Sequence, residues 1–339
     1  MKRQEWLLGS LDGPLSLRLS RAALLRLLLI ALGCALLALV ALRCGNLGDG
    51  LAALLHDTAP SPLRTVVLQW RLPRLLFALL FGAALGVSGA IFQALIRNPL
   101  GSPDLIGFNS GAHTGALVTL IVLHGGHFQV ALGAIAGGLA SAALVWLLAR
   151  GQGLQGLRLV LIGVGVSALL AAFNTWLSLQ AQLDAAMNAA LWGAGSLNGL
   201  GWQKGLPAAA IAGVALAAAL CLQRRLDLLE LGDASAASLG LDTPRLRRRL
   251  LLLGVVLSAA ATAACGPISF IALCAPSIAR RLRGGLASSA GLGALLLLAA
   301  DLVAQHAFAP RQLPAGLVTG CVGGIYLLAL LRRASSARP

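Results

Sequence analysis

Long uncharged runs separated by short clusters of arginine are the main pattern of this chain. The run between Arg74 and Arg97 holds 22 uncharged residues. At roughly 1.5 Å per residue it gives about 33 Å of helix, which matches a hydrocarbon core of about 30 Å. Runs of similar length recur along the rest of the chain. The pattern therefore predicts an all-α integral membrane protein with about ten transmembrane helices.

The other crossings follow from the lengths of the uncharged runs. Residues 105–149 make a run about twice as long as one crossing needs, so it predicts two helices joined by a turn at 124–129. Residues 185–203 are less apolar and predict a short interfacial helix with a turn, with Trp192 and Trp202 at headgroup level. The remaining crossings are predicted at about 22–42, 159–183, 205–223, 250–279 (two helices), 284–308 and 315–331.

Two stretches interrupt the helical pattern. The sequence NPLGSPD at 98–104 predicts a shaped turn, because each proline fixes φ and lacks a backbone donor. A Gly-Pro pair at 266–267 and then Pro276 break a later run in the same way. The two interruptions occupy comparable places in the two halves of the chain, which suggests the internal duplication that is common in transporters.

The composition indicates a membrane protein rather than a nucleic-acid-binding one. Hydrophobic residues make up 58% of the chain, charged residues make up 11%, and the mean hydropathy is +0.86. The net charge of +15 comes from arginines in short runs between apolar spans. These runs form no stacking platform with aromatic residues, so we expect no nucleic-acid partner.

The arginine clusters also predict the orientation in the membrane, since basic residues favour the cytoplasmic side. With both termini in the cytoplasm, the predicted organisation is an N-terminal segment at 1–21, one transmembrane domain at 22–331 and a tail at 332–339. A cytoplasmic loop lies at 226–249. Six of the 26 Lys and Arg residues then lie outside, namely Arg43, Arg64, Arg71, Arg74, Lys204 and Arg311.

The sequence has no signature of an enzyme. A G-x-x-x-x-G-K-[ST] phosphate-binding loop needs a lysine, and neither Lys2 nor Lys204 stands in such a motif. We expect no catalytic residues, metal or cofactor, so any ATP hydrolysis belongs to a separate chain. Asp301 is the single acid inside a late apolar span. It is either a proton site of an ion-coupled transporter or, as we favour, a helix-packing residue.

Several motifs resemble one transporter family. They are RLPR at 71–74, SGAIFQ at 88–93, NPLGSP at 98–103, Gly107, Gly111, Ala112, GPISFIALCAPSIARRL at 266–282, AADLVA at 299–304 and LPAGLVTGCVGGIYLLALL at 313–331. Together they resemble the FecCD or BtuC-like permeases, the membrane subunits of iron-siderophore and vitamin B12 ABC importers. Within that family, LWGAGSLNGL at 191–200 and FNTW at 173–176 are especially similar to a ferric enterobactin permease.

This resemblance implies a BtuC-like type II ABC importer permease for ferric enterobactin or a similar catecholate siderophore. It further implies a heterodimer with a second permease subunit, two cytoplasmic ATPase subunits and a periplasmic siderophore-binding protein. Two alternatives stay open: an ion-coupled secondary transporter, or a permease of the same class for vitamin B12, haem or a hydroxamate siderophore. The motif residues assigned to the translocation pathway or to helix packing are Ser88, Gly89, Gln93, Asn98, Pro99, Pro103, Gly266, Pro267 and Pro276.

Arginines at the predicted outer mouth are candidates for docking the binding protein. In the resembling transporters, arginines at the places of Arg71 and Arg74 pair with glutamates of the binding protein. A further docking arginine of the family corresponds to Gln305 here, so Arg311 is a candidate substitute. The alternative is that these side chains snorkel to the membrane interface.

The cytoplasmic loop predicts a small coupling helix, from about Asp233 to Leu239. Asp233 is its expected N-cap, and Gly240 is the left-handed residue expected to end it. Its expected apolar surface suits a groove on another protein and consists of Ala234, Ala236, Ala237 and Leu239. In the resembling permeases the ATPase grips this segment; the alternative is a solvated linker. The candidate coupling residues are Glu230, Asp233, Ala237, Leu239 and Gly240.

Overall fold

The computed structural model describes residues 5–8, 17–43, 62–104, 107–149, 156–309 and 311–336. Two short antiparallel strands, β1 (Glu5–Leu8) and β2 (Leu17–Ser20), come first. Every described element after them is helical, which confirms the predicted all-α membrane fold and adds a strand pair that hydropathy did not indicate. Residues 44–61 and 150–155, which connect predicted crossings, lie outside the described residues.

The helices follow in chain order. They are α1 (Arg21–Arg43), α2 (Leu72–Ile96), α3 (Phe108–Leu117), α4 (His127–Ala149), α5 (Gly156–Gln180), α6 (Leu183–Gly193), α7 (Trp202–Cys221), α8 (Gln223–Glu230), α9 (Asp233–Ser238), α10 (Thr243–Cys265), α11 (Ile271–Arg281), α12 (Leu286–His306) and α13 (Ala315–Ser336). A short helix (Pro62–Val66) and a π-helical turn (Val67–Arg71) lead into α2, and a second π-helical turn (Val118–Val122) extends α3.

Seven helical segments within the described ranges are long and apolar enough to cross a membrane. They are Arg21–Arg43, Arg64–Ile96, Phe128–Ala149, Leu161–Gln180, Trp202–Cys221, Thr243–Cys265 and Leu286–His306. Three shorter helices, α3, α11 and the apolar part of α13, complete the bundle. The structure therefore agrees with the prediction of about ten transmembrane helices.

Helix α2 lies at the centre of the bundle. It packs against α7, α10, α11 and α12, and its Phe81 and Ile91 side chains are fully buried. Helix α1 instead packs at the periphery against α12 and leaves leucines such as Leu28 and Leu32 exposed. An apolar surface of this kind suits contact with lipid tails, so α1 borders the bundle while α2 forms its core.

Two helix pairs approach closely through glycines. In the α2–α12 pair, a methyl group on Gly82 or Gly86 would overlap backbone atoms around Gly293 or Ser289. In the α3–α4 pair, Gly111 and Gly115 face Gly137 and Gly133 in the same manner. Small residues four positions apart let helix backbones pack closely in a membrane, where van der Waals contact rather than water exclusion holds helices together. Gly82 and Gly86 of α2 therefore have packing roles.

The interruptions predicted at 98–104 and 266–267 are present, but the break predicted at Pro276 was wrong, because Pro276 lies inside the continuous helix α11. Helix α2 ends at Arg97 with a φ of 53°, and no regular helix occurs among the described residues from there to Phe108. Helix α10 ends at Gly266 with a φ of 72°, and α11 begins after Phe270 with a φ of 69°. Positive φ is unusual for a side chain with a Cβ, so the surrounding structure holds Arg97 and Phe270 in place.

The predicted loop at 226–249 is largely helical, which corrects the sequence analysis. Helices α8 and α9 cover most of its first half, and α10 begins at Thr243 rather than near Leu250. The early start has a local cause. Asp242 caps the helix by accepting from the Arg245 backbone N–H at 3.1 Å, and Pro244 fits the first turn.

Candidate functional site

The end of the bundle that carries α9, Arg97 and Arg247 is called the arginine-rich end below. Helix α9 begins after Gly232, whose φ is 117°, and ends at Leu239 followed by Gly240. Gly240 has a φ of 82°, and its N–H donates to the Ala237 carbonyl at 2.9 Å. The next N–H donates back to Ala236, which completes a Schellman-type helix end. The predicted role of Gly240 as the left-handed residue that ends the helix is confirmed.

Asp233 does not have the predicted capping role. The N-cap residue is Gly232, and no side chain caps the helix there. The Asp233 carboxylate instead accepts from Nη2 of Arg97 at 3.0 Å and from Nη2 of Arg247 at 2.9 Å. Asp233 stands one residue too late to cap, and two guanidinium groups lie within its reach. The prediction of an N-cap was therefore wrong, and the side chain forms ion pairs with two other helices.

The outward surface of α9 is apolar and small. Ala234 and Ala237 are exposed, while Leu231 and Leu239 expose 67% and 60% of their surface. Ala236 is fully buried, so its predicted place on this surface was wrong. A six-residue helix turns through more than one full turn, and Ala236 falls on the side that faces the bundle.

Two acids flank this surface on α8. Glu230 is exposed at the C-terminal end of the helix, and Asp227 lies one turn earlier. Partial burial and then the neighbouring Glu230 carboxylate raise the pKa of Asp227. The predicted coupling residues Glu230, Asp233, Ala237, Leu239 and Gly240 therefore lie together at the arginine-rich end.

Two candidate pathway residues on α2, Ser88 and Gly89, contact neighbouring helices. The Ser88 hydroxyl donates to the Gly254 carbonyl of α10 at 2.7 Å. A methyl group on Gly89 would overlap the Ala272 carbonyl oxygen of α11, so glycine allows this close contact. Ser88 and Gly89 were predicted either to line the translocation pathway or to pack helices together. Their geometry fits helix packing.

Gln93 is the most connected polar residue of this face. Its Nε2 donates to the Leu273 carbonyl at 3.1 Å and to the Ser277 hydroxyl at 3.3 Å. Its Oε1 accepts from Nη2 of Arg280 at 2.8 Å. The buried amide thus has partners on both sides, as a polar group in an apolar bundle requires, and it ties the end of α2 to α11.

The first interrupted segment contacts the second through Asp104. Asn98 shapes its start, since Asn98 Oδ1 accepts from the Leu100 N–H at 2.9 Å. Pro99 is exposed there, and Pro103 is buried. Asp104 then accepts from Nδ2 of Asn109 at 2.7 Å and from the Phe270 N–H at 3.2 Å. This carboxylate therefore joins the start of α3 to the start of α11.

The second interrupted segment supports the turn that follows α6. A methyl group on Gly266 would overlap the Trp192 carbonyl oxygen, and one on Gly195 would overlap the Pro267 carbonyl oxygen. The Ser196 N–H donates to the Cys265 carbonyl at 2.7 Å. Further along, Pro276 lies buried inside α11.

Both tryptophans near this turn contact protein groups. Trp192 stacks on His113 with 6.2 Å between ring centroids, and Trp202 Nε1 donates to the Leu68 carbonyl at 2.9 Å. The short helix and turn predicted for residues 185–203 are confirmed as α6 and the turn after it. The tryptophans help to seat this segment on α3 and on the lead-in to α2.

At the opposite end, Arg74 and Asp301 form a buried ion pair. Nη2 and Nε of Arg74 lie 2.8 and 2.9 Å from the two carboxylate oxygens, and the side chains expose 14% and 2% of their surface. Gln305 donates to the same carboxylate at 2.8 Å, and Arg74 also donates to Gln312 at 3.3 Å. The geometry supports the favoured interpretation of Asp301 as a helix-packing residue, and it commits Arg74 to that contact.

The other two docking candidates are placed differently. Arg71 is partly buried and its Nη1 donates to the Leu42 carbonyl at 3.3 Å, whereas Arg311 is exposed in the turn before α13. A docking role for Arg71, Arg74 and Arg311 stays a prediction. Sequence reasoning missed Asp104, Arg97 and Arg280 as site residues. The positions of Arg97 and Asp104 at the two ends of NPLGSP could have indicated them.

Comparison with known proteins identifies one family. The model of the FecCD transport family matches residues 27–333. The ferric enterobactin transport system permease protein FepG of Escherichia coli (strain K12) is 53% identical over 320 residues, which are 92% of this chain and 97% of FepG. The Fe(3+) dicitrate transport system permease protein FecD of the same strain is 41% identical over 308 residues, 89% of this chain and 95% of FecD.

Two further relatives extend the comparison. The hemin transport system permease protein HmuU of Yersinia pestis is 35% identical in an alignment 345 residues long, which covers 97% of this chain and 99% of HmuU. A solved structure described as a metal-chelate type ABC transporter in an inward-facing conformation superposes with a TM-score of 0.77 at 28% identity. That likeness covers 91% of this chain and 98% of the solved one. Similarity in sequence and in fold therefore extends over nearly the whole bundle.

Proposed function

Because the chain belongs to the FecCD transport family, we propose that it is the membrane permease of an ABC importer for ferric enterobactin or a similar catecholate siderophore. The observation that carries this function is the 53% identity to FepG over 97% of that protein. The chain is a multi-pass inner-membrane transport subunit and not an enzyme. FecD and HmuU are permeases named for ferric dicitrate and hemin, so the family supports the transport class more broadly than the ligand.

The proposed assembly has three kinds of partner. A second permease subunit completes the membrane pathway as a heterodimer, two ATPase subunits supply the energy, and a periplasmic binding protein delivers the siderophore. Two observations support separate ATPases. The sequence has no phosphate-binding loop, and α9 presents exposed alanines and Leu239 in a form that fits a groove on another protein.

We place the arginine-rich end in the cytoplasm. Arg97, Arg247 and Arg280 meet there around α9 and α11, and basic residues concentrate on the cytoplasmic side of inner-membrane proteins. Both termini are then cytoplasmic, with segments at 1–21 and 332–339 flanking the permease domain at 22–331. In this orientation α9 faces the ATPase, and the Arg74–Asp301 end faces the periplasm.

Docking of the binding protein is proposed to rest on Arg311 and Arg71. Arg311 is exposed at the periplasmic end and can meet a carboxylate without breaking a buried contact. Arg74 lies beside them but is bound on two sides by Asp301, so we assign it a structural role. Charge pairs at the rim of an interface chiefly speed association, so docking should weaken as salt concentration rises.

Reconstitution tests the function directly. The permease and its partner subunits are incorporated into proteoliposomes with binding protein, and uptake of ferric enterobactin labelled with radioactive iron is measured with and without ATP. We expect uptake that needs ATP and the ATPase subunits. Uptake that persists without the ATPase and follows an ion gradient would instead establish the secondary-transporter alternative.

The same proteoliposomes test the ligand. Ferric enterobactin is compared with a ferric hydroxamate, haem and vitamin B12, each with its own binding protein. We expect the catecholate complex to be carried best. Faster ATP-dependent uptake of one of the other ligands would keep the transport class and replace the proposed substrate.

A further inference from the structure

Besides the buried Ala236, helix α9 contacts the bundle through one acidic side chain that reaches two different helices. Asp233 Oδ1 accepts from Nη2 of Arg97 at 3.0 Å, and the same carboxylate accepts from Nη2 of Arg247 at 2.9 and 3.2 Å. Arg97 ends α2, and Arg247 lies in the first turns of α10. One carboxylate therefore connects α9 to both helices.

Each of these arginines stands on a helix that leads into an interrupted segment. Arg97 directly precedes the first segment and holds a left-handed conformation with a φ of 53°. Helix α10 runs from Arg247 to Gly266, where the second segment begins. A strained residue of this kind persists only where its surroundings hold it, and the ion pair with Asp233 is one such contact. A displacement of Asp233 would thus act on both segments.

The contacts beyond Arg97 continue to α11. Gln93, one turn before Arg97, binds the Leu273 carbonyl and accepts from Arg280. At the far end of α11, the Phe270 N–H donates to Asp104 of the first segment. These contacts are buried or partly buried, so they join α2, α11 and the two segments at sites less exposed to solvent than the Asp233 ion pairs.

The Asp233 ion pairs are weak by comparison. Asp233 exposes 51% of its side chain, Arg97 exposes 50% and Arg247 exposes 27%. Exposed pairs of this kind contribute little to stability. Loss of the carboxylate should therefore leave the protein folded, while it removes the described contact that joins α9 to α2 and α10 at once.

We propose that Asp233 is a positioning residue that passes movements of α9 to both interrupted segments through Arg97 and Arg247, and that it is not itself a contact for the ATPase. This inference rests on the proposed function, in which the ATPase moves α9. It separates two roles within the small helix. Ala234, Ala237 and Leu239 face the partner, whereas Asp233 faces the permease.

The test compares Asp233→Asn with Asp242→Asn in the full complex with its ATPase and binding protein. Both changes remove one exposed carboxylate from the same region, but Asp242 pairs with Arg245 on its own helix and asparagine caps a helix as well as aspartate. Two quantities are measured: co-purification of the ATPase, and ferric enterobactin transported per ATP hydrolysed in proteoliposomes.

We expect Asp233→Asn to keep the ATPase bound and to lower transport per ATP by about threefold to tenfold. Asp242→Asn should change neither quantity, and Asp233→Glu should restore part of the loss. Loss of ATPase binding in Asp233→Asn, or an unchanged transport ratio, would overturn the inference. Wild-type proteoliposomes without ATP-dependent uptake would refute the proposed function itself, so the two failures are distinguishable.

A double-mutant cycle tests the two links separately. Arg97→Gln and Arg247→Gln should each lower transport per ATP, and neither should lower it further once Asp233→Asn is present, because the contact is already lost. Effects that multiply independently in the double variants would show that the arginines act by another route and would contradict the proposed junction.

Discussion

The two ends of α2 carry ion pairs of similar geometry in opposite surroundings. At the end proposed to face the periplasm, Arg74 meets Asp301 at 2.8 Å in a site from which water is nearly excluded. At the end proposed to face the cytoplasm, Arg97 meets Asp233 at 3.0 Å with about half of each side chain exposed. Removing one partner of a buried pair destabilises a protein by about 3–5 kcal/mol, whereas an exposed pair contributes about 0–1 kcal/mol.

This difference suggests how one helix can be both fixed and responsive. The α2–α12 contact combines a buried ion pair with close glycine packing and has little freedom to rearrange. The α2–α9 contact is weak, local and open to solvent. For the permease of an iron-siderophore ABC importer, the weak contact is the one placed where we propose that the ATPase acts.

The largest effect is expected from Asp301→Ala. The change leaves the Arg74 guanidinium partly buried without its carboxylate, so we expect a loss of about 3–5 kcal/mol in stability. Thermal unfolding of the purified permease in detergent measures it as a lower Tm. A melting temperature equal to that of the wild type would mean that the buried pair does not fasten the two helices.

A double variant serves as the matched control for that prediction. Arg74→Leu combined with Asp301→Leu replaces both charges by apolar groups, and buried pairs replaced in this way are often neutral or even more stable. We therefore expect the double variant to melt above Asp301→Ala.

A smaller loss is expected from Gly86→Leu, which tests the packing half of the same contact. The new side chain must enter the space of the Ser289 backbone, so α2 and α12 have to separate. Overpacking of this kind costs about 1–3 kcal/mol. Gly213→Leu on α7 is the control, because no atom lies within 4 Å of an added Cβ there. Equal melting temperatures for the two variants would mean that close packing at Gly86 does not stabilise the contact between α2 and α12.

Charge reversal of Arg311 and Arg71 should have the smallest effect and leave stability nearly unchanged. We expect Arg71→Glu/Arg311→Glu to weaken docking of the binding protein about tenfold, equivalent to about 1.4 kcal/mol, with the loss growing at low salt. Surface plasmon resonance on nanodisc-embedded complex measures it. Arg248→Glu, at the cytoplasmic end, should dock normally. Normal docking of the double variant would assign both arginines to membrane snorkelling.

The hydropathy pattern and the helix-breaking prolines and glycines were enough to predict the bundle. Charge-free runs located the long helices, and the prolines and glycines at 98–104 and 266–267 located both interruptions. Short α11 has 11 residues and could be found only through these breaks, since its length alone is below that of a crossing. The sequence motifs then indicated the family.

The partners of the charged residues could not be predicted. Asp233 is 136 residues from Arg97, and Arg74 is 227 residues from Asp301. Local rules supply a capping role for Asp233, because they consider neighbours in sequence alone, and the family resemblance supplies a docking role for Arg74. Tertiary packing decides instead which side chains meet, and it also turned Ala236 inward.

The central claim is that the exposed surface of α9 is where ATP hydrolysis is coupled to the permease. Leu239→Asp introduces a charge into that surface, while the conservative Leu239→Met keeps it apolar; Gly240→Trp strains the helix end, where φ is 82°. The measurement is co-purification of the ATPase together with ATP hydrolysis stimulated by the binding protein in proteoliposomes. We predict that Leu239→Asp and Gly240→Trp lose both while the permease still inserts and Leu239→Met behaves as wild type; normal coupling in the first two variants would contradict the account.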